Sequence, residues 1–382
     1  MTSATRAMSS VLLAALFAMQ GCRSAETTNE TSGGDSANGA GAYDVDSELY
    51  WYQRGSDATK AIWSKYRYRP DSALLKSPDS DSPLDFWLSA QAFDLLLDSV
   101  GTFWRKDLAA EAVEAYFRDF AREFPNRGLH VYNDDLLCWA LTCIRAARIT
   151  NDKGYLLEAR ELYDRLWATQ VDNALGGGMW WRGDVRNAKN ACVNMPAVMV
   201  AVGLYDATRD LKYLLQARTL YQWICESLYD GDTGKVLDYV AADGRRVGCD
   251  FPCNSGMFVG ASMRLFRATG RKAYLANAMA AADYMISSMG QRGVLRSCGQ
   301  GDGGAFNGIA VRYLAELARR PGCDRYRDFV VSNARAAWTS RRLSDGVNGP
   351  DWTKTPQTGD RVDPQTAVSA GMLYFAASRA FR

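Results

Sequence analysis

The sequence predicts an all-α fold, an (α/α)6 barrel built from six helix hairpins. Three observations support this prediction. Twelve segments show helical periodicity with no long alternating strand between them, a short motif recurs at a nearly constant interval, and long and short connections alternate along the chain.

The helical segments begin shortly after residue 43, and apolar residues recur in them at the spacing of one helix face. We expect helices near 45–68, 85–100, 105–123, 133–149, 154–168, 189–207, 211–228, 254–268, 272–289, 305–320, 324–341 and 364–381. Taken in pairs, these segments give six hairpins.

The recurring motif reads Thr-Asn-Asp-Lys-Gly-Tyr-Leu at 150–156 and returns in related form at 208–214 and 269–275. Each copy joins a helix rich in small residues to a more amphipathic helix, so the repeating unit is a helix hairpin. Six hairpins could stack as an open solenoid or close into a barrel. Small residues at 191–201 and 256–261 favour closure, because they let an inner ring of helices pack tightly.

The connections differ in length according to their direction. Those that lead into the small-residue helices are long and rich in glycine or aromatic residues, at 175–181, 230–253, 299–304 and 345–363, whereas the return connections are short. All long loops therefore lie on one face of the barrel, together with the N-termini of the inner helices. Binding sites usually form on such loops.

The first 42 residues are expected to be a targeting segment and a tether. Arg6 precedes an apolar run at 11–19, which is too short to span a bilayer but fits the core of a signal peptide. The following Gly21-Cys22 is similar to a bacterial lipoprotein signal. We expect residues 1–21 to be the signal peptide and Cys22 to carry the lipid anchor, although ordinary cleavage would leave Cys22 as a thiol.

Residues 22–42 are rich in small polar residues, which predicts a flexible tether, and residues 43–382 form the folded domain. The protein is thus expected to be an exported lipoprotein of the outer membrane. The sequence leaves open whether it faces the cell surface or the periplasm.

The composition is that of a globular protein, with 47% hydrophobic and 23% charged residues, and the net charge of +2 argues against nucleic-acid binding. His130 is the only histidine, so no histidine metal cluster is expected, and we expect neither a metal nor another cofactor. His130 itself is expected to be structural or to lie at the rim of a cleft. The cysteines after Cys22 are expected to be mostly buried thiols, with at most one disulfide.

Asp134 and Asp135 are the candidate catalytic residues. They lie in the first turn of a helix, where free backbone N–H groups favour a negative charge, but one acidic side chain would satisfy that need. A close pair of carboxyl groups is what retaining glycoside hydrolysis uses. The candidate substrate-binding residues on the same face are Trp87, Trp180, Trp181, Lys189, Asn190, Asn254 and Asp302. Core packing is the alternative for Trp180 and Trp181, and a solvated position is the alternative for Lys189.

The chain from about residue 43 resembles glycoside hydrolase family 76, the bacterial endo-α-1,6-mannanases and their fungal cell-wall relatives. The matching motifs are Asp134-Asp135 followed by Trp139, Gly177-Gly178-Met179-Trp180-Trp181, Lys189-Asn190-Ala191 with Asn194, Asn254 with Gly256, and Phe306-Asn307-Gly308 followed by Arg312-Tyr313-Leu314.

The resemblance implies an (α/α)6 barrel that hydrolyses α-1,6-mannosidic bonds with retention and without a metal. It implies that Asp134 is the nucleophile and that Asp135 is the general acid and then the general base. We expect Asp134 to ionise readily at the helix entrance and Asp135, beside that charge, to keep its proton. Four positions depart from the family pattern, where Cys138 replaces a tryptophan, Cys253 an aromatic residue, Ser255 a glutamine and Asn307 a lysine.

The expected partners are α-mannan or a related polysaccharide and, through the anchor, a membrane; we expect no nucleic acid and a monomer. Two alternatives use the same scaffold: a glycan-binding surface lipoprotein with weakened catalysis, and a transglycosylase that remodels cell-surface glycans. A scaffold lipoprotein without a sugar site is a further alternative, but it leaves the acidic and aromatic residues on one face unexplained.

Overall fold

The computed structural model describes residues 47–100 and 106–382. The signal peptide predicted at 1–21 and the tether predicted at 22–42, with Cys22, lie outside the described residues. The helices of the described part are α1 (Glu48–Tyr66), α2 (Phe86–Val100), α3 (Lys106–Glu123), α4 (Asn133–Thr150), α5 (Lys153–Gln170), α6 (Ala191–Thr208), α7 (Leu211–Ser227), α8 (Pro252–Thr269), α9 (Lys272–Tyr284), α10 (Gly303–Ala318), α11 (Asp324–Ser340) and α12 (Pro364–Arg379).

The even-numbered helices form a closed inner ring. Each packs against the next even-numbered helix, and α12 packs against α2, while the odd-numbered helices lie outside. In α2 every residue except Trp87 is buried, as an inner position requires. The predicted barrel is therefore confirmed and the open solenoid is excluded. The ring is closed by helices within residues 86–379.

The recurring motif forms the short turns from an inner helix to the next outer helix. In each copy the threonine hydroxyl donates to the carbonyl four residues back and accepts the backbone N–H two residues ahead. The residue after the threonine ends the inner helix in the left-handed conformation, with φ of 60°, 59° and 70° in the three copies. In the first two copies Asp152 and Asp210 then cap the outer helix.

Five short strands lie in the long connections. β1 (Ala188–Asn190), β2 (Tyr239–Ala241) and β3 (Arg246–Val247) form an antiparallel sheet in which Ala188 lies opposite Ala241. β4 (Gly290–Gln291) and β5 (Val294–Leu295) form a hairpin ahead of α10. Strands of two or three residues are too short to show alternation, so the sequence pattern does not reveal them.

A buried ion network ties four inner helices together. Arg312 on α10 donates to Asp94 and Asp98 on α2, and Arg145 on α4 contacts the same two aspartates. Arg379 on α12 donates to Asp98 at 2.6 Å. The three guanidinium groups hold the pKa of Asp98 well below its usual range, although burial acts in the opposite direction.

Two further features concern the cysteines and membrane insertion. All eight cysteines of the described part are free thiols, so no disulfide occurs there. One described helix, α6, is long and apolar enough by composition to cross a membrane, but it is mostly buried as part of the inner ring.

Candidate active site

A cavity of about 530 Å³ opens at the N-terminal ends of the inner helices. Its lining residues come from five of the six inner helices and from the loops that precede them, and they include Asp85, Phe86, Trp87, His130, Tyr132, Asp134, Asp135, Cys138, Leu141, Trp181, Cys192, Asp238, Asn254, Met257, Asp302, Phe306 and Ile309. Leu141 lies two helical turns beyond Asp134 on α4, about 10 Å along the helix axis. The cavity therefore continues below the aspartates, where Leu141, Met257 and Ile309 lie together with the polar residues Gln91, Asp94 and Tyr313.

The first turn of α4 is fixed by the loop that contains Trp180 and Trp181. The backbone N–H of Asn133 donates to the carbonyl of Trp181 at 2.9 Å, and its side-chain amide donates to the carbonyl of Trp180 at 2.8 Å. These two bonds attach Asn133, the first residue of α4, to the segment with Trp180 and Trp181. As a result Asp134 and Asp135, the next two residues, lie at the cavity wall.

Burial in the cavity wall raises the pKa of Asp134 to about 7, and the charge of Asp135 adds to the shift. The thiol of Cys192 and the indole of Trp181 act in the opposite direction and favour the ionised form. Burial also raises the pKa of Asp135, whereas its contact with His130 lowers it. The expectation that Asp134 ionises readily is therefore wrong for the unliganded protein. Burial raises the pKa of Asp134 by more than the helix N-terminus lowers it.

His130 contacts Asp135 directly: its Nε2 lies 2.6 Å from Oδ2 of the carboxyl group. The imidazole is stacked on Phe86, with the ring centres 4.6 Å apart and the planes 15° from parallel. Of the two expected positions, a structural one or the rim of the cleft, the structure shows His130 at the cleft, but the contact with the candidate acid was not predicted. The sequence feature that could have indicated this contact is the position of His130, five residues before Asp135.

Trp180 and Trp181 point to opposite sides of one extended segment. Trp180 is buried, and its Nε1 donates to Asp172 at 2.8 Å, whereas Trp181 lines the cavity and lies 5.3 Å from the ring of Tyr132. The segment is reached through three glycines with positive φ, and a Cβ at Gly178 would lie 2.6 Å from the indole of Trp223. Core packing therefore describes Trp180, and the cavity holds Trp181.

Lys189 and Asn190 do not line the cavity. The ammonium group of Lys189 is fully buried and donates to Asp172 at 2.8 Å and to the carbonyls of Ala174 and Gly177 at 2.7 and 2.6 Å. Lys189 thus holds together the loop that leads to Trp180 and Trp181. The expected contact of Lys189 with a sugar is therefore wrong. Asn190 is buried at the end of β1 and accepts a hydrogen bond from Asn194 through its carbonyl.

The remaining predicted residues, Trp87, Asn254 and Asp302, all line the cavity. Asn254 donates to Asp238 at 3.0 Å, and Asp238 is a lining carboxylate that the sequence analysis did not identify. It lies in the connection at 230–253, whose length was the only signal. Burial raises the pKa of Asp238, and the bond from Asn254 opposes that shift.

The positions that depart from the family pattern have different structural roles. Cys138 and Cys253 line the cavity beside Cys192, so three thiol side chains lie on its wall. Asn307 does not line it, since its side-chain amide donates to the carbonyl of Arg296 and holds the loop ahead of α10. Ser255 is fully buried.

The described residues contain no group of three or more His, Cys, Asp and Glu side chains that could hold a metal ion. The site thus offers two adjacent carboxyl groups, aromatic rings at the mouth and a mixture of apolar and polar residues below.

Known proteins share this fold and this family. A model of glycosyl hydrolase family 76 matches residues 49–379. The GH76A α-1,6-mannanase from Salegentibacter sp. HEL1_6 is 28% identical, with a TM-score of 0.80 over 86% of this chain and 99% of that one. An inactive variant of that mannanase, in which two adjacent aspartates are replaced by asparagine, matches with the same values and is in complex with α-1,6-mannotriose.

A more distant likeness concerns the fold alone. Dfg5 from Chaetomium thermophilum, in complex with glucosamine, is 16% identical and has a TM-score of 0.72 over 89% of this chain and 92% of that one. No curated protein sequence matches this chain. The family match spans nearly all of the helical barrel, and the chain therefore belongs to glycosyl hydrolase family 76 and is a glycoside hydrolase.

Proposed function

We propose that the protein is a retaining hydrolase of α-1,6-mannosidic linkages in α-mannan, with Asp134 as nucleophile and Asp135 as acid and base. The observation that carries this proposal is the pair of adjacent carboxyl groups on one cavity wall, both with a raised pKa. Such a pair holds one proton near neutral pH, which is the state that the reaction requires.

In the first step Asp135 gives its proton to the glycosidic oxygen as the bond from that oxygen to the anomeric carbon breaks. A carboxylate oxygen of Asp134 forms the new bond to the anomeric carbon. Asp134 is suited to this role because its carboxyl group lies on the wall of the cavity, next to Asp135. In the second step Asp135 takes a proton from water, the water oxygen attacks the anomeric carbon, and Asp134 is released.

The substrate is proposed from the walls of the cavity and from the relatives. Trp87 and Trp181 offer flat apolar faces that suit a sugar ring, and Asn254 and Asp302 offer polar groups for its hydroxyls. The Salegentibacter mannanase, whose variant with two replaced aspartates is in complex with α-1,6-mannotriose, supports both the linkage and the carboxyl pair.

The proposal is tested by product release from linear α-1,6-mannan. The chain from Tyr43 onward should release oligomannosides, whereas Asp134→Asn and Asp135→Asn should release none. Asp57→Asn is the matched control, since Asp57 is an exposed aspartate of α1. The anomeric configuration of the first product, followed by NMR, should be retained, and inversion would refute the covalent step.

Two other results would replace the proposal by one of the alternatives. Binding of mannan without cleavage would make the protein a glycan-binding lipoprotein. Products longer than the starting oligomannoside would make it a transglycosylase, in which a sugar hydroxyl replaces water in the second step.

For the N-terminus we propose a signal peptide at 1–21 and a lipid anchor on Cys22 in the outer membrane. Cys22→Ala should move the protein from the membrane fraction to the soluble fraction after cell lysis, and an unchanged distribution would refute the anchor. Digestion by a protease added to intact cells would distinguish the cell surface from the periplasmic face. Light scattering of the soluble chain should give the mass of one chain.

A further inference from the structure

We propose that His130 is a positioning residue whose Nε2 holds Oδ2 of Asp135, leaving the second carboxyl oxygen for the glycosidic oxygen. The contact is short, at 2.6 Å, and both residues line the cavity. This inference rests on the proposed function, because it assigns His130 a task in the proton transfer by Asp135.

The imidazole is held in place by the protein itself. Its ring is stacked on Phe86, which is buried and makes edge contacts with Phe120 and Phe124 at 5.0 and 5.2 Å. The backbone N–H of His130 donates to the carbonyl of Arg127 at 3.1 Å. An imidazole fixed both through its ring and through its backbone can orient a carboxyl group before any substrate binds.

The charges around the contact explain why Asp135 needs such a partner. The carboxyl groups of Asp85, Asp134 and Asp302 line the same cavity, and the ring of Tyr132 lies 5.8 Å from the imidazole. Burial, and to a smaller extent the charges of Asp85 and Asp302, raise the pKa of Asp135, and the hydrogen bond from His130 lowers it. His130 thus opposes the negative neighbours and keeps the ionised form of Asp135 accessible for the second step.

The proton balance is simple. The imidazole N–H donates to Oδ2 throughout, while the carboxyl proton leaves the other oxygen for the glycosidic oxygen and is later replaced from water. His130 neither gains nor loses a proton over the cycle, so it is not the acid or the base.

The contact can be tested without measuring activity, because the chain contains a single histidine. In protein made from Tyr43 onward without a polyhistidine tag, NMR of the nitrogen-labelled imidazole should show one N–H proton that is protected from exchange. Asp135→Ala should abolish this signal, whereas the control Asp57→Ala should leave it. Persistence of the same signal in Asp135→Ala would refute the contact.

The catalytic role is tested with two leaving groups. Dinitrophenolate departs without a proton, whereas the sugar of mannan needs one. His130→Phe should therefore lower kcat on α-1,6-mannan by about 100-fold, within the range for lost acid catalysis, with little change in KM. It should lower the burst of dinitrophenolate from a dinitrophenyl α-1,6-mannobioside only a few-fold. His130→Gln, which keeps an N–H donor, should restore most of the rate on mannan.

The outcomes separate the inference from the proposed function. Equal losses on both substrates, or no recovery in His130→Gln, would mean that His130 supports the fold only, and thermal unfolding of both variants would show it. If the unmodified chain cleaves neither substrate, the proposed function fails and the role in proton transfer fails with it. In that case the NMR signal still decides whether the contact exists.

Discussion

Replacing Asp134 by asparagine should stabilise the folded protein at pH 8 and leave its stability almost unchanged at pH 4. The reason is the difference between the pKa of Asp134 in the folded protein, about 7, and the value of about 3.9 for an exposed aspartate. A carboxyl group whose pKa is raised by folding opposes folding wherever the unfolded chain is ionised. The cost is absent below about pH 4, grows between pH 4 and 7, and is complete above that range.

The magnitude follows from the shift. Three pKa units at 1.36 kcal/mol each set an upper limit of about 4 kcal/mol, and coupling to Asp135 reduces this to about 2–4 kcal/mol. With an unfolding entropy of about 2 cal/mol/K per residue over residues 48–382, the melting temperature of Asp134→Asn should rise by about 3–6 °C at pH 8. Differential scanning calorimetry of the parent protein and of Asp134→Asn, each at pH 4 and pH 8, measures this difference in melting temperature.

The control for this prediction is Asp57→Asn, which removes an exposed aspartate whose ion pair with Lys60, at 3.7 Å, is worth at most about 1 kcal/mol, so the melting temperature should change by less than about 2 °C at either pH. The comparison between variant and parent cancels the titration of all other groups. A melting temperature of Asp134→Asn that differs from the parent by the same amount at pH 4 and pH 8 would refute the reasoning. Such a result would mean that Asp134 is well solvated.

Four further predictions concern side chains of the site and of the buried ion network. Trp181→Ala should raise KM for mannan about 10-fold through the loss of a stacking ring while leaving the melting temperature nearly unchanged, and an unchanged KM would contradict this. Trp180→Ala should instead lower the free energy of unfolding by about 3–5 kcal/mol in urea titrations, because it empties a core position. Lys189→Met should cost about 3 kcal/mol in the same assay, since it leaves Asp172 and two loop carbonyls without their common donor; a variant as stable as the parent would contradict its burial. Arg312→Met should cost about 3–5 kcal/mol at pH 7 by leaving Asp94 and Asp98 short of positive charge, and a loss under 1 kcal/mol would contradict that role.

The barrel was predictable because its signals are local and repeated. The hydroxyl of Thr150 stabilises one turn between two helices, and the hydroxyls of Thr208 and Thr269 make the same bond in two later turns. The repeat in the sequence therefore corresponds directly to the repeat in the structure. Helical periodicity then located the twelve helices to within a few residues. The lengths of the connections placed the aspartates at the correct end of the barrel, because inner helices must all begin on one face.

The direction of individual side chains was not predictable in the same way. Trp180 and Trp181 are adjacent and chemically alike, and only the pairing of their segment with Val171 and Tyr132 decides which ring enters the core. Lys189 lies just before the inner helix α6, which begins at the face that carries the site, but its ammonium group turns towards Asp172. Such choices depend on partners distant in sequence, which a motif does not contain.

The ionisation of the aspartates shows why a local rule can fail at an active site. A helix N-terminus stabilises a carboxylate by about 0.3–1 kcal/mol, which is less than one pKa unit. The pKa of Asp134 instead rises from 3.8 to about 7, which corresponds to about 4 kcal/mol in the opposite direction. This rise in pKa comes mainly from burial of the carboxyl group by the surrounding inner helices. Closure of the barrel therefore determines the protonation of the pair, whose single proton must lie on Asp135 when Asp134 attacks the anomeric carbon.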